Sequence, residues 1–409
     1  KSRGLGDVYK RQMQDTDQNP LDRLDPDDLP ATWSRHGLDQ LADVDLVRNA
    51  CELLAVPHQE PAGSFTLHAP LELMARARML PSVSPHRRRA ARQRVARIAA
   101  AWTRAGTPTG PTDTAPIDQP LPLLTEALRD GDCETVDRAF VALCAQRDIS
   151  EIVGDLVDLV LPQLGGAAHG AIFLELLPRF RPAGPNPALL GRTLVGDLAA
   201  HPDWNLSWFD GPRPAPAPHG SLTERLLAPK VDRHPASHFV QPTMSLVEDT
   251  GLAHHTLADV TQDMSISRTR KELLAIAAMS MLQDDPDNAP YGWTHCLTLP
   301  QAALSVADRS TNPQRAIDIA ATYVLGFRAT QSSSPIDPNW QPEPSRRTDA
   351  NDITRLDPST AAAVAWHARP HDQAQIIQQL IDNAVPHHDA HLAKYTLACL
   401  DARATDTAN

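Results

Sequence analysis

At 409 residues, 42% apolar and 22% charged, the chain has the make-up of a folded globular protein with room for a substantial core. A net charge of −12 opposes binding to a phosphate backbone, and no apolar run nears the ~18 residues that cross a bilayer, so neither nucleic acid nor membrane is an expected partner. Five scattered cysteines, Cys51, Cys133, Cys144, Cys296 and Cys399, with no Cys-x-x-Cys pair and no signal peptide after Met13, suit reduced thiols in a cytoplasmic protein.

In chain order, residues 1–12 (KSRGLGDVYKRQ) read as sequencing-adapter sequence: four bases and one acid, no amphipathic period, expected disorder. Without them the net charge is −15. Residues 13–60 read as an N-terminal extension with a first helix, 61–402 as one helical domain and 403–409 as a tail. Leu71, Ala75 and Met79 mark one helix face, and a basic, Ala-rich surface helix follows from Pro85 to Arg104. Leu121 to Leu128, Thr135 to Ala145, Ile149 to Leu161, Ala168 to Leu177 and Leu190 to Ala200 keep three- and four-residue apolar spacing. So do Leu252 to Met264, Arg270 to Leu282, Leu297 to Ala307, Gln314 to Phe327, Ser359 to Trp366, Ala374 to Ala384 and His388 to Ala402. Proline, 37 residues in all, gathers near 103–120, 181–187, 210–220 and 331–348, which read as loops. No alternating strand pattern occurs, so the expected class is all-α: about a dozen helices in an irregular bundle or solenoid.

Chemistry concentrates in histidine and lysine. His36, His58, His86, His219, His234 and His238 lie in polar or proline-rich surroundings and read as solvated. Four others fall on apolar helix faces: His68 with Leu71, Ala75 and Met79; His169 with Ile172, Phe173 and Leu176; His295 with Thr298, Leu299, Ala302 and Val306; His391 with Lys394, Tyr395 and Ala398. A buried ring needs a polar partner, and a carbonyl is the ordinary one. Several inward histidines on different helices are also how bundles build transition-metal sites.

Of 38 bases only Lys1, Lys10, Lys230, Lys271 and Lys394 are lysine. On a half-buried face Lys394 snorkels to solvent, finds a carboxylate partner or loses its proton. A neutral lysine takes up carbon dioxide as a carbamate and then ligates like a carboxylate.

The segments LHAPLEL, AAHGAIF, GWTHCLTLPQAAL and HLAKYTLACLDA, spread from His68 to the C-terminus, resemble the questin oxidase-like family, all-helical proteins of about this size. The resemblance implies a non-haem iron oxygenase, a monooxygenase or dioxygenase of Baeyer–Villiger-like or ring-cleaving type, acting on aromatic polyketides such as anthraquinones. It implies Fe(II) held by His68, His169, His295 and His391 with carbamylated Lys394, and leaves NADPH open as a reductant. His255, in GLAHHTLADVTQ, is a fifth candidate able to replace one of them. Lys394 and Tyr395 are the candidate catalytic residues, with Tyr395 and Trp293 expected to line the substrate cavity. Aromatic residues, 4% of the chain, are fewer than fungal members of the family would have.

Other features carry less. His371-Asp372 and His388-Asp389 are dipeptides without the further residues a helical phosphohydrolase needs. Gly165-Gly166 opens the His169 helix where an anion would sit, without a nucleotide-loop motif. Trp204 and Trp208 read as loop anchors, and the acidic run from Asp284 to Asp287 as a solvated turn. The alternative to an oxygenase is a non-catalytic helical scaffold whose histidines are structural.

Overall fold

The computed structural model describes residues 19–59, 66–104, 116–180, 187–213, 221–262, 264–285, 287–344 and 352–406; the adapter-like segment lies outside them. Many helix starts are written in the sequence as proline. Pro85, Pro120, Pro290, Pro313, Pro358 and Pro370 each occupy a first-turn position, where a missing N–H is no loss and the fixed φ is already helical. Side-chain caps mark others: Asp148 with Glu151 and Ser221 with Glu224 form capping boxes, and Ser265 and Asp357 cap one helix each.

The described residues form eighteen helices and no strand. The first nine are α1 (Leu29–Thr32), α2 (Asp43–Leu54), α3 (His68–Met79), α4 (Pro85–Ala100), α5 (Pro120–Asp130), α6 (Cys133–Gln146), α7 (Ile149–Val160), α8 (Gly170–Leu176) and α9 (Arg192–Ala200). The rest are α10 (Leu222–Leu226), α11 (Val240–Asp249), α12 (Leu252–Leu257), α13 (Ile266–Gln283), α14 (Pro290–Val306), α15 (Pro313–Gln331), α16 (Pro358–Trp366), α17 (Pro370–Ala384) and α18 (Ala390–Asp406). The all-α class is as the sequence predicts. The higher count comes from pieces too short to show a period, such as α1 and α10, and from α11, where Pro242 sits in the first turn and its ring is tolerated.

At the centre, α14 and α15 pack against each other and are buried on nearly every side. Around α14 lie α8, α13 and α18; α18 in turn packs on α3, and α3 touches α8. The N-terminal extension is no separate unit, because Leu46, Val47 and Cys51 of α2 join the same apolar core as α14. Among the described residues, Ile353, Val364 and Ile376 form a satellite cluster apart from it. No described helix is long and apolar enough to cross a membrane.

Candidate metal centre

The packing of α3, α8, α14 and α18 brings together four side chains more than three hundred residues apart at the extremes. His68 is the first residue of α3, His169 immediately precedes α8, His295 lies in the second turn of α14 and His391 is the second residue of α18. Their rings form a closed circuit: centroids lie 4.9 Å apart for His68–His169, 5.2 Å for His169–His295, 5.3 Å for His295–His391 and 4.6 Å for His391–His68. Lys394, one turn beyond His391 and only 5% exposed, puts Nζ 3.3 Å from His169 Nε2.

Two rings are oriented from behind. His295 Nδ1 donates to the Tyr291 carbonyl at 2.6 Å, an i−4 contact within the same helix. His391 Nδ1 stands 3.2 Å from Asp389 Oδ1. Each contact fixes a tautomer and leaves Nε2 as the free lone pair, the arrangement that supports a metal ligand. Asp389 is thus the useful half of the His388-Asp389 dipeptide, and its partner is the ring two residues on.

Burial, reinforced by the charge of Lys394, pushes His68 down to about 2 and His295 to about 3, holds His169 well below the ordinary histidine range and lowers His391. The rings are therefore uncharged donors at neutral pH. Burial also brings Lys394 down to about 7 against the opposing pull of Glu72 and Asp389. No carboxylate among the described residues comes within ion-pair distance of its ammonium.

His169 Nε2 and His295 Nε2 are 3.1 Å apart. Because His295 Nδ1 is committed to Tyr291, its Nε2 offers a lone pair. His169 must either donate a proton into it or face it with a second lone pair, and a shared cation removes that conflict. The spacing is about that of two nitrogens each ~2.0–2.2 Å from one metal ion at a right angle. Among the described residues no group of three or more His, Cys, Asp or Glu is placed so that it could hold a metal ion as the side chains stand. By residue type the four imidazoles are donors that a transition metal accepts, and Lys394 would add an anionic donor only as a carbamate.

The cluster forms the floor of a cavity of about 680 Å³ whose wall includes Ala167, Phe327 and Gln331. Phe239 and Tyr291 stand at its rim, 60% and 56% exposed. A cleft of about 720 Å³ beside Arg270, Lys271 and Cys399 is as roomy but gathers no comparable set of donors. Lys394 reaches His169 from the opposite side, lining a narrow void with Glu175, Thr298 and Gln301.

Three expected site residues are placed elsewhere. His255 is exposed on α12, beside His254, because that helix packs on α11 and α15 through Ala253 and Leu257. Tyr395 turns its hydroxyl to Met281 Sδ at 3.2 Å, since it projects from the flank of α18 facing α13. Trp293 is buried in α14 and does not border the cavity. The aromatic residues that do are Phe239, Tyr291 and Phe327, with His238, read as solvated, at the exposed rim. The tryptophans Trp204 and Trp208 are anchors: one stacks on His201 at 3.9 Å and the other donates to Thr322 Oγ1 at 2.9 Å.

The backbone leading into His169 is unusual. Gly166, Ala167 and Ala168 all have positive φ, 57°, 54° and 59°, a full left-handed turn that costs roughly 1–2 kcal/mol for each alanine. The Gly166 N–H donates to Asp197 Oδ2 from α9, so the anion expected at this glycine pair is the chain's own carboxylate.

Arg76, wholly buried on α3, is a second support that the apolar face Leu71–Ala75–Met79 conceals. Its guanidinium donates to the carbonyls of Ala384 and His387 at 2.7 Å, Asp389 at 3.2 Å and also Val385, while Nε donates to Glu72 at 2.6 Å. It caps the end of α17 and holds the loop that delivers His391. The Glu72–Arg76 spacing of four was its visible signal.

Compared with protein-family models, curated proteins and solved structures, the chain matches none of them.

Proposed function

We propose that this chain is a non-haem iron-dependent oxygenase that admits an aromatic or polyketide-type small molecule to the cavity above the histidine cluster. The observation that carries the reading is the convergence of four uncharged imidazoles at the floor of an aromatic-rimmed cavity, with a deprotonable lysine behind them against His169. His68, His169, His295 and His391 would hold Fe(II), with Lys394 as the anionic donor once its amine has bonded the carbon of carbon dioxide and released a proton. Iron, when bound, supplies dioxygen chemistry that amino-acid side chains lack. The protein's part is to keep the rings neutral by burial, to fix the His295 and His391 tautomers, and to offer ring faces of Phe239 and Tyr291 to a flat ligand.

Iron per chain after anaerobic purification tests the reading, in wild type and in two Lys394 variants. Near-stoichiometric iron is expected in wild type. Lys394→Arg should lose it, because guanidinium stays protonated and forms no carbamate; Lys394→Glu should keep a fraction. Circular dichroism checks that each variant is folded. An iron-free wild type overturns the reading.

A scaffold with structural histidines is the second reading. It is favoured by the direct 3.1 Å contact of His169 and His295, which closes as a plain hydrogen bond if His169 carries its proton on Nε2. The same iron measurement separates the two.

A further inference from the structure

His169 differs from its neighbours in one respect. The rings of His295 and His391 are held through Nδ1 by Tyr291 and Asp389, whereas His169 Nδ1 is buried with no hydrogen-bond partner among the described residues. Its contacts, to His295 and Lys394, are both at Nε2, the nitrogen a metal would take, so nothing at Nδ1 aims the ring from behind. Directly before it lies the left-handed turn of Gly166, Ala167 and Ala168.

That turn is held on two sides. Asp197, 2% exposed, accepts the Gly166 N–H, and its Oδ2 lies in ordinary contact, 3.4 and 3.5 Å, with where a Cβ on Gly165 or Gly166 would stand. A Cβ on Gly166 would also come within 2.9 Å of Leu67 Cδ2, the residue that precedes His68. Leu67 thus packs directly on the turn and its side chain would have to shift for any larger residue there, so the entry points of two histidines share one contact. Strained backbone persists only where its surroundings over-determine it.

We propose that the left-handed turn Gly166–Ala168, clamped by Asp197, orients His169 in place of a partner at Nδ1, which makes Asp197 a positioning residue of the centre. The inference rests on the metal reading for its purpose, though its geometry is independent of it.

The test titrates metal-free protein with Co(II), followed by visible absorption, in wild type, Asp197→Ala, Asp197→Asn and Ala167→Gly, with a melting temperature for each. Loss of a ligand's outer support costs about 10–100-fold in metal affinity, the fall expected for Asp197→Ala. Asp197→Asn keeps an acceptor oxygen and should recover most of it. Ala167→Gly is the decisive variant: glycine relieves the left-handed strain, so the melting temperature should not fall, yet the loosened turn should weaken Co(II) binding by about 10-fold. A merely structural turn would move affinity and melting temperature together, and that result, or wild-type affinity in both Asp197→Ala and Ala167→Gly, overturns the proposal. If wild type binds no Co(II), the metal reading fails on its own, and the turn is judged by the His169 Hε1 resonance and by exchange of the Gly166 amide. A broadened resonance and faster exchange in Asp197→Ala uphold the clamp; unchanged spectra overturn it.

Discussion

Keeping His295 uncharged in the interior has a consequence in acid. Its folded value of about 3 lies below the ordinary 6.5, so beneath pH 6.5 the unfolded chain binds a proton that the native state refuses. Stability therefore falls as pH drops from 6.5 toward 3, and at pH 5 the loss from this ring is about 2 kcal/mol. His295→Leu removes that term. Between pH 7.5 and 5, metal-free wild type should lose about 2 kcal/mol more than the variant in urea unfolding. Parallel stability curves for the two would show that the ring is protonated, or solvated, in the native state.

At the scale of the element, Arg76 ties α3 to the end of α17. Replacing it with leucine removes the donor for four carbonyls and leaves Glu72 with only Arg94, whose Nε lies 2.7 Å away. Breaking a buried ion pair costs about 3–5 kcal/mol, so Arg76→Leu should lower the urea midpoint sharply. A midpoint shift worth less than about 1 kcal/mol would mean that water replaces the guanidinium at the carbonyls. Helix faces explain what was legible in advance. His68, His169, His295 and His391 each share an apolar stripe in sequence, and an inward stripe survives into the fold whatever the partner helix is. Asp197, Asp389 and Arg76 were not legible in their roles, because each acts on a backbone group or ring supplied by another segment or by a turn without periodicity. Tyr395 and Trp293 failed for a related reason: a stripe tells that a residue is buried, not which neighbouring helix it meets.

Across the whole molecule, the main core runs from Leu21 to Ala398, whereas Ile353, Val364 and Ile376 hold α16 and part of α17 through a cluster of their own. Small clusters open at lower free energy than the body. Hydrogen exchange should accordingly release amides of Pro358–Trp366 well before those of α14 and α15, and added Fe(II) should slow exchange in α3, α14 and α18 while leaving α16 unchanged. Uniform protection across all four would show one cooperative unit instead.

The placement of His68 and His391 at the openings of α3 and α18 carries one more consequence. The aligned peptide dipoles of both helices present their positive ends to the same small volume, roughly half an elementary charge apiece. That field disfavours protons on the rings, in the same direction as burial, and it resists a bare dication equally. What it welcomes is negative charge. A metal would enter more easily in the company of an anion, so the proposed conversion of Lys394 from ammonium to carbamate would serve the electrostatics of loading as well as ligation.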